Sequence, residues 1–351
     1  MPEINVAVGS GAVKRLPQFL RGFKSSRLLL IAEKKAFGLH GKTVGDILTH
    51  AGFEFVFIPF AGGEKNKTLA EAESIYHRML DSRITRRTPI LAMGGGVTTD
   101  LTGFAASTFM RGVPLFLIPT TLLAQVDAAI GGKTGVNLKE GKNLIGTFYF
   151  PEATIVDPQF LQTLPPRELR GGFAEIIKMS ILEGERFFGE LEQLTESGLS
   201  ASHDLEPLIK RAIDGKIQIV KKDPYESSDE RALLNLGHTF AHALEAATSY
   251  RRYTHGEAVA IGLVAACRLA EEVIDFSNKV SERVKKILLS CKLPIRYSHT
   301  DSKTLLACMF ADKKKTTGLR FVLPARLGHV IVKEGIPEGK ILKVLEELKE
   351  Q

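Results

Sequence analysis

Short runs of branched and aliphatic residues recur through the first half of the chain, at 27–32 (RLLLIA), 53–59 (FEFVFIP), 88–93 (TPILAM) and 114–118 (PLFLI). Runs of that length and composition predict strands, and the amphipathic stretches between them, notably 68–81, predict helices. Strands alternating with helices imply a mostly parallel sheet with ligands at the carboxyl ends of its strands. From about Pro165 onward apolar positions recur at helical spacing, over 167–182, 205–222, 233–247, 256–274 and a last segment ending near Glu350. One exception is 319–335, where RFVLP and HVIVKEG flank a short ARLG connection and predict a hairpin. Prolines punctuate the pattern between Asp157 and Pro166, which divides the chain into an α/β domain over 1–160 and a mainly α-helical domain over 161–351.

Composition narrows the class. With 351 residues, 44% of them hydrophobic and 25% charged, the chain can build one or two sizeable cores and is neither disordered nor fibrous. No run approaches the roughly 18–20 apolar residues of a membrane span, and the start, MPEINVAVGSGAVKRL, has no signal-peptide pattern, so a cytoplasmic location is expected. Cys267, Cys291 and Cys308 are odd in number and far apart, as expected of reduced thiols. The net charge of +7 admits nucleic acid, a membrane surface or an anionic small molecule as partner. Lysines and arginines are spread along the chain with no recognition helix or zinc finger, and tryptophan is absent, which argues against nucleic acid.

Three segments carry candidate chemistry. In LAMGGGVTTDLTGF (91–104) a buried strand runs into Gly94, Gly95 and Gly96 and then a helical pattern. Glycines there let a backbone approach a pyrophosphate at a helix start, although the same triplet also suits a plain tight turn. Asp100 either accepts from a ribose or amide group or caps the helix. In 119–146 Thr120 and Thr121 follow a strand, and Lys133, Lys142 and Asn143 offer N–H donors in glycine-rich surroundings, either to an anion or as a basic surface loop. GGKT lacks the leading glycine of a Walker loop, because position 127 is Asp, so a P-loop NTPase is rejected. In LNLGHTFAHALE His238 and His242 stand at i and i+4 on one helix face; His255 opens the next helix, and Glu175 and Lys178 share a side of an earlier one. Imidazoles and a carboxylate drawn from different helices suit a catalytic divalent metal such as zinc. H-E-x-x-H is absent, which argues against a metalloprotease.

Together GGGVTTD, RGVPLFLIPTTLLAQVDAAIGGKTGVN, GKNLIGTFYFP, RELRGGFAEIIK, RALLNLGHTFAHALE and HGEAVAIG, in that order, resemble the 3-dehydroquinate synthases of the sugar phosphate cyclase superfamily over about 25–325. The resemblance implies an α/β nucleotide-binding N-terminal domain plus an all-helical C-terminal domain with the active site between them, use of NAD and zinc or cobalt, and conversion of 3-deoxy-D-arabino-heptulosonate 7-phosphate to 3-dehydroquinate and phosphate. It implies that Glu175, His238 and His255 are metal ligands and that His242 relays protons. Glu64, Lys67, Gly95, Gly96, Val97, Asp100, Thr120, Thr121, Leu123, Lys142 and Thr163 match NAD contacts, with Glu33 at the adenosine end. Arg111, Asp127, Lys133, Asn143, Lys178, Lys216, Arg231, Asn235 and Lys313 or Lys314 match substrate contacts; of these, Lys133, Lys178 and Asn235 are expected, with His242, to act in catalysis. Arg111 implies a homodimer in which it reaches the neighbouring phosphate site. Glu33 replaces the family's frequent aspartate, and Thr99 and Ala241 replace glycines. Another sugar phosphate cyclase or a metal-dependent polyol dehydrogenase is the alternative, against which the polar set Lys216, Arg231 and Asn235 argues, since it would lie unpaired beside a substrate without a carboxylate.

Overall fold

The computed structural model describes residues 3–23, 25–196, 204–312 and 319–350. It forms two compact units, Met1–Pro165 with Asp204–Ile213, and Pro166–His203 with Asp214–Gln351. The first 165 residues give β1 (Val6–Val8), α1 (Leu16–Leu20), β2 (Arg27–Glu33), α2 (Lys34–His50), β3 (Glu54–Phe60), α3 (Leu69–Asp81), β4 (Ile90–Gly94), α4 (Gly96–Thr108), β5 (Leu115–Pro119), β6 (Lys133–Leu138), β7 (Gly141–Phe148) and β8 (Ala153–Val156). Six of the strands pair in parallel in the order β1-β8-β5-β4-β2-β3.

This sheet has a core on each face, and strand alternation assigns the residues. Leu29 and Ile31 pack with Ile90, Ala92, Leu115 and Leu117 against Ala72, Ile75 and Met79 of α3 and Leu101 and Ala105 of α4. Leu28, Leu30 and Ala32 pack with Leu91, Met93, Phe116 and Ile118 against Leu16 and Leu20 of α1 and Val44 and Leu48 of α2. Burial on both faces is why β4 and β5 are continuously apolar. Strand order turns back between β2 and β4, and a doubly wound sheet takes ligands at the carboxyl ends beside such a switch point. Glu33 ends β2 there, and Gly94 ends β4.

The 119–146 segment is more ordered than a basic loop. After a π-helical turn at Ala124–Ala128, β6 and β7 form an antiparallel hairpin. Gly135 and Gly146 face each other across it so closely that a Cβ on Gly146 would overlap the Thr134 carbonyl. Thr134 Oγ1 lies 2.8 Å from Thr147 Oγ1, which donates to Ser107 on α4 at 2.8 Å.

The rest of the chain gives α5 (Pro166–Glu183), α6 (Glu185–Glu196), α7 (Glu206–Lys222), α8 (Asp229–Ala232), α9 (His238–Ala247), α10 (His255–Ile274), α11 (Asn278–Ser290), α12 (Ser302–Asp312), β9 (Phe321–Arg326), β10 (His329–Lys333) and α13 (Glu338–Leu348). The antiparallel β9–β10 hairpin falls within the segment where the sequence predicts one. A single helix over 233–247 does not form. Gly237 takes the left-handed conformation, φ 79°, so the chain makes a short turn at Leu233–Asn235 and restarts as α9 at His238. The central element is α10, packed by α5, α9, α11, α13 and β9. It opens with a capping box between Thr254 and Glu257, and Glu257 also receives Arg167 of α5 at 2.8 and 2.7 Å. No helix among the described residues is long and apolar enough to cross a membrane.

Candidate functional site

In the first unit the β4–α4 junction is built for close approach. Gly95 precedes α4 without a side-chain cap, and the first turn carries no acidic residue, which makes this a helix start suited to an anion. A Cβ on Gly95 would come within 3.2 Å of Thr121, and one on Gly96 within 3.2 Å of Ala128. Val97, Asp100, Thr121, Leu123 and Asp127 are half-buried and Thr120 is buried. The Thr120 amide donates to Gly94 O at 2.9 Å, and Thr121 Oγ1 accepts from the Ala124 amide at 3.2 Å.

Beside this junction the structure gathers Glu64, Lys67, Asp100, Lys142 and Asn143. Lys67, 3% exposed, donates to Asp100 Oδ2 and to Asn143 Oδ1, both at 2.5 Å. Burial pushes the Asp100 carboxyl up, and the Lys67 ammonium opposes that without cancelling it. Lys142 lies 4.0 Å from Glu64. Asn137, which sequence reasoning passed over, joins the parts: its side chain donates to Glu64 Oε1 at 2.8 Å and accepts from the Asn143 amide at 2.9 Å. Asn143 is held at φ 54°, a conformation for which asparagine is suited. Glu33 accepts from Thr98 Oγ1 at 3.4 Å and lies where a Cβ on Gly62 would stand. Thr163 is exposed, donates to Phe160 O at 3.1 Å and lies 3.1 Å from the buried His40 Nε2. Lys133 is exposed on β6, and Arg111 is exposed in the turn Phe109–Arg111.

In the second unit Glu175, His238 and His255, from α5, α9 and α10, bring their ligand atoms within 4.8 Å of one another. Glu175 Oε1 lies 3.6 Å from His238 Nε2 and 3.5 Å from His255 Nε2, while Lys178, one turn along α5, pairs with the other carboxylate oxygen. Bonds of about 2.0–2.2 Å in a tetrahedral zinc site leave ligand atoms about 3.4 Å apart, so two imidazoles and one carboxylate here fit such an ion with a position to spare. The remaining ring nitrogens face acceptors. His238 Nδ1 lies 3.2 Å from Leu236 O and His255 Nδ1 lies 3.5 Å from Glu245 Oε2. Each ring thus has a partner for an Nδ1 proton and directs Nε2 at the cluster, the arrangement in which a bound metal would displace any proton from Nε2 and take its lone pair.

The environment separates the two rings. Burial and the neighbouring Lys178 push His238 down to about 3. Burial acts the same way on His255, but hydrogen bonds to Glu175 and Glu245 and their charges win and push it up to about 10. His242 is exposed, its ring centroid 5.5 Å from that of His238 and 6.4 Å from that of His255. Lys216 is buried on α7, Asn235 is half-buried in the turn before α9, and the buried Arg231 donates to Pro224 O at 2.5 Å. Glu245 was the missed residue here; its spacing of seven from His238 puts both on one face of α9. Lys313 and Lys314 lie outside the described residues.

Comparison with known proteins agrees along the whole chain. The family model for 3-dehydroquinate synthase, N-terminal, matches residues 57–171, and that for 3-dehydroquinate synthase, C-terminal, matches 172–315. A 3-dehydroquinate synthase of Gloeobacter violaceus is 42% identical over 99% of this chain and 97% of its own, and one of Crocosphaera subtropica is 42% identical over 92% and 90%. Among solved structures, 2-epi-5-epi-valiolone synthase from Streptomyces hygroscopicus subsp. jinggangensis, with NAD+ and Zn2+ bound, superposes with a TM-score of 0.91 at 28% identity, covering 99% of this chain and 97% of that one. An α/β unit with a glycine junction, a helical unit with a His-His-Glu cluster and this degree of identity over both halves have one common account: the chain belongs to the 3-dehydroquinate synthase family.

Proposed function

We propose that this chain converts 3-deoxy-D-arabino-heptulosonate 7-phosphate to 3-dehydroquinate and phosphate, the second step of the shikimate pathway that leads to chorismate and the aromatic amino acids. The observation that carries the reading is the Glu175, His238 and His255 cluster, set in a chain 42% identical to a 3-dehydroquinate synthase over nearly its full length. Glu175, His238 and His255 would hold a divalent zinc or cobalt ion, which would supply a lowered pKa at adjacent substrate hydroxyls, and bound NAD+ would supply a hydride acceptor that is regenerated within the turnover.

Residues 1–160 supply most of the NAD contacts and residues 161–351 the metal ligands, while the substrate contacts are drawn from both segments. Gly95, Gly96 and Val97 admit the pyrophosphate at the α4 amides, with Glu33, Glu64, Lys67, Asp100, Thr120, Thr121, Leu123, Lys142 and Thr163 around the rest of the dinucleotide. The linked Glu64, Lys67, Asp100 and Lys142 support one shared role. Asp127, Lys133, Asn143, Lys178, Lys216, Arg231, Asn235 and Lys313 or Lys314 bind the substrate and hold its phosphate and carboxylate apart in one pose. His242 moves protons between substrate and solvent, a role supported by its exposure beside the cluster and outside the ligand set. Arg111 serves the phosphate site of a neighbouring copy in a homodimer; its exposure beside the exposed Met110 supports that. Three free thiols, Cys267, Cys291 and Cys308, support a cytoplasmic location.

The test supplies the heptulosonate phosphate with NAD+ and zinc and follows inorganic phosphate. Release without net NADH is expected. Accumulating NADH would indicate a dehydrogenase, and release from a different sugar phosphate alone would indicate another cyclase of the superfamily.

A further inference from the structure

The two histidines of the cluster are steered differently. His238 Nδ1 faces a backbone carbonyl, Leu236 O, at 3.2 Å, fixed by the turn before α9. His255 Nδ1 faces a side chain, the Glu245 carboxylate, at 3.5 Å. Glu245 is 3% exposed, and a carboxylate that deep is costly unless a donor or cation meets it. Placed two turns after His238 on α9, it lets one helix supply a ligand and also aim the ligand that opens α10.

We propose that Glu245 is a positioning residue of the metal site: by accepting the Nδ1 proton of His255 it fixes the ring and its tautomer, so that Nε2 meets the ion, and it makes His255 the more electron-rich of the two imidazole donors. Because α10 begins at His255, that ring lacks a preceding helical turn to pack against, and it is 29% exposed by its side chain. Without the carboxylate the imidazole can turn or hold its proton on Nε2, and either change removes a lone pair from the cluster.

The proposal rests on the metal reading above, and the test separates the two. Metal-stripped full-length protein is titrated with Co2+, following its visible absorption, for the parent and for Glu175→Gln, Glu245→Ala and Glu245→Asp, with a thermal melt of each. The aspartate variant keeps the charge but withdraws the carboxyl by one methylene, and it serves where the alanine variant does not fold. Glu175→Gln should abolish tight binding. Glu245→Ala should weaken Co2+ binding about 10–100-fold and change the absorption band, with Glu245→Asp in between. Folded Glu245 variants that bind Co2+ within twofold of the parent with its band unchanged would overturn the positioning role, as would a lowered melt with unaltered binding. A parent that takes up no Co2+ would overturn the metal reading itself.

Discussion

A single methyl group at Gly256 should disable the metal cluster. Gly256 follows His255 at the start of α10, and a Cβ built on it falls on the backbone of Gly171 in α5, closer than real Cβ atoms approach. Restoring ordinary carbon contacts of about 3.5 Å requires α5 and α10 to part locally by about 1 Å. Overpacking of that kind costs about 1–3 kcal/mol, which for a domain of this size lowers Tm by about 2–12 °C. The effect on the site is larger, because Glu175 is one turn from Gly171 and His255 adjoins Gly256, while metal–ligand bonds tolerate only about 0.2 Å. Metal affinity should fall at least about tenfold. Phosphate release should fall about 100-fold, the cost of displacing reacting groups by about 1 Å. The reverse substitution supplies the control, since a Cβ on Gly171 would lie 3.7 Å from Thr254 Oγ1 and 3.8 Å from Gly256 Cα, ordinary contact distances. Gly171→Ala should keep metal and activity and gain up to about 1 kcal/mol from helix propensity. The assay is a thermal melt, bound metal per chain after dialysis, and phosphate release for both variants. Equal metal content in Gly256→Ala and the parent, or equal damage from both alanines, would refute the reasoning.

Removing the ammonium in Lys67→Met leaves the half-buried Asp100 without a charged donor, and NAD+ binding should weaken at least about tenfold. Calorimetry is the suitable measurement, since the chain has no tryptophan to report on the cofactor, and an unchanged Kd would exclude Lys67 and Asp100 from the cofactor site. His242→Ala should lower turnover with metal content retained; loss of the metal would move His242 into the ligand set. Burial raises the Asp223 carboxyl, but amide and hydroxyl donors from Ser227, Ser228 and Arg231 bring it down to about 2. Its folded value lies below the roughly 3.9 of an unfolded aspartate, so its contribution is complete above that pH and fades as pH falls toward 2. Asp223→Asn should therefore flatten the loss of stability between about pH 4 and 2, and a urea midpoint that declines with acid as steeply as in the parent would count against that assignment.

How much the sequence disclosed depended on whether a signal was local. The strands β2 to β5 are continuous apolar runs because helices cover both faces of the sheet, and such runs stand out without any knowledge of their partners. Val6–Val8 and Ala153–Val156 are three and four residues long, too short to show a period, and they are strands through pairing with distant parts of the chain, the first with the second and the second also with β5. The β6–β7 hairpin was hidden for a similar reason. Its glycines read locally as flexibility, whereas in the fold Gly135 and Gly146 are the places where two backbones meet. Periodicity ran through Gly237 as though 233–247 were one helix, because apolar spacing does not register a left-handed residue. Around the Glu175, His238 and His255 cluster the i, i+4 histidines and the i, i+3 Glu175 and Lys178 were visible on single helices. Glu245 was not, since its meaning depends on a ring from another helix.

Each residue of that cluster stands within one helical turn of a glycine, and the glycines explain why three helices can bring side chains to one point. Glu175 follows Gly171 by one turn, His255 precedes Gly256, and His238 follows Gly237. Gly171 meets Gly256, and Gly237 meets Gly262, with a Cβ on Gly262 falling on the Gly237 carbonyl and one on Gly237 reaching within 2.9 Å of the Leu263 nitrogen. Helix α10 is thus set against α5 and α9 by backbone contacts, which have no rotamers to relax into, at the level of its own histidine and two turns further along. Side-chain packing elsewhere on α10 can adjust to a change of shape through alternative rotamers. A backbone contact has no such freedom, so the separation of Glu175, His238 and His255 is held to a narrower range than the surrounding core requires, which is the tolerance a metal ion demands of its ligands.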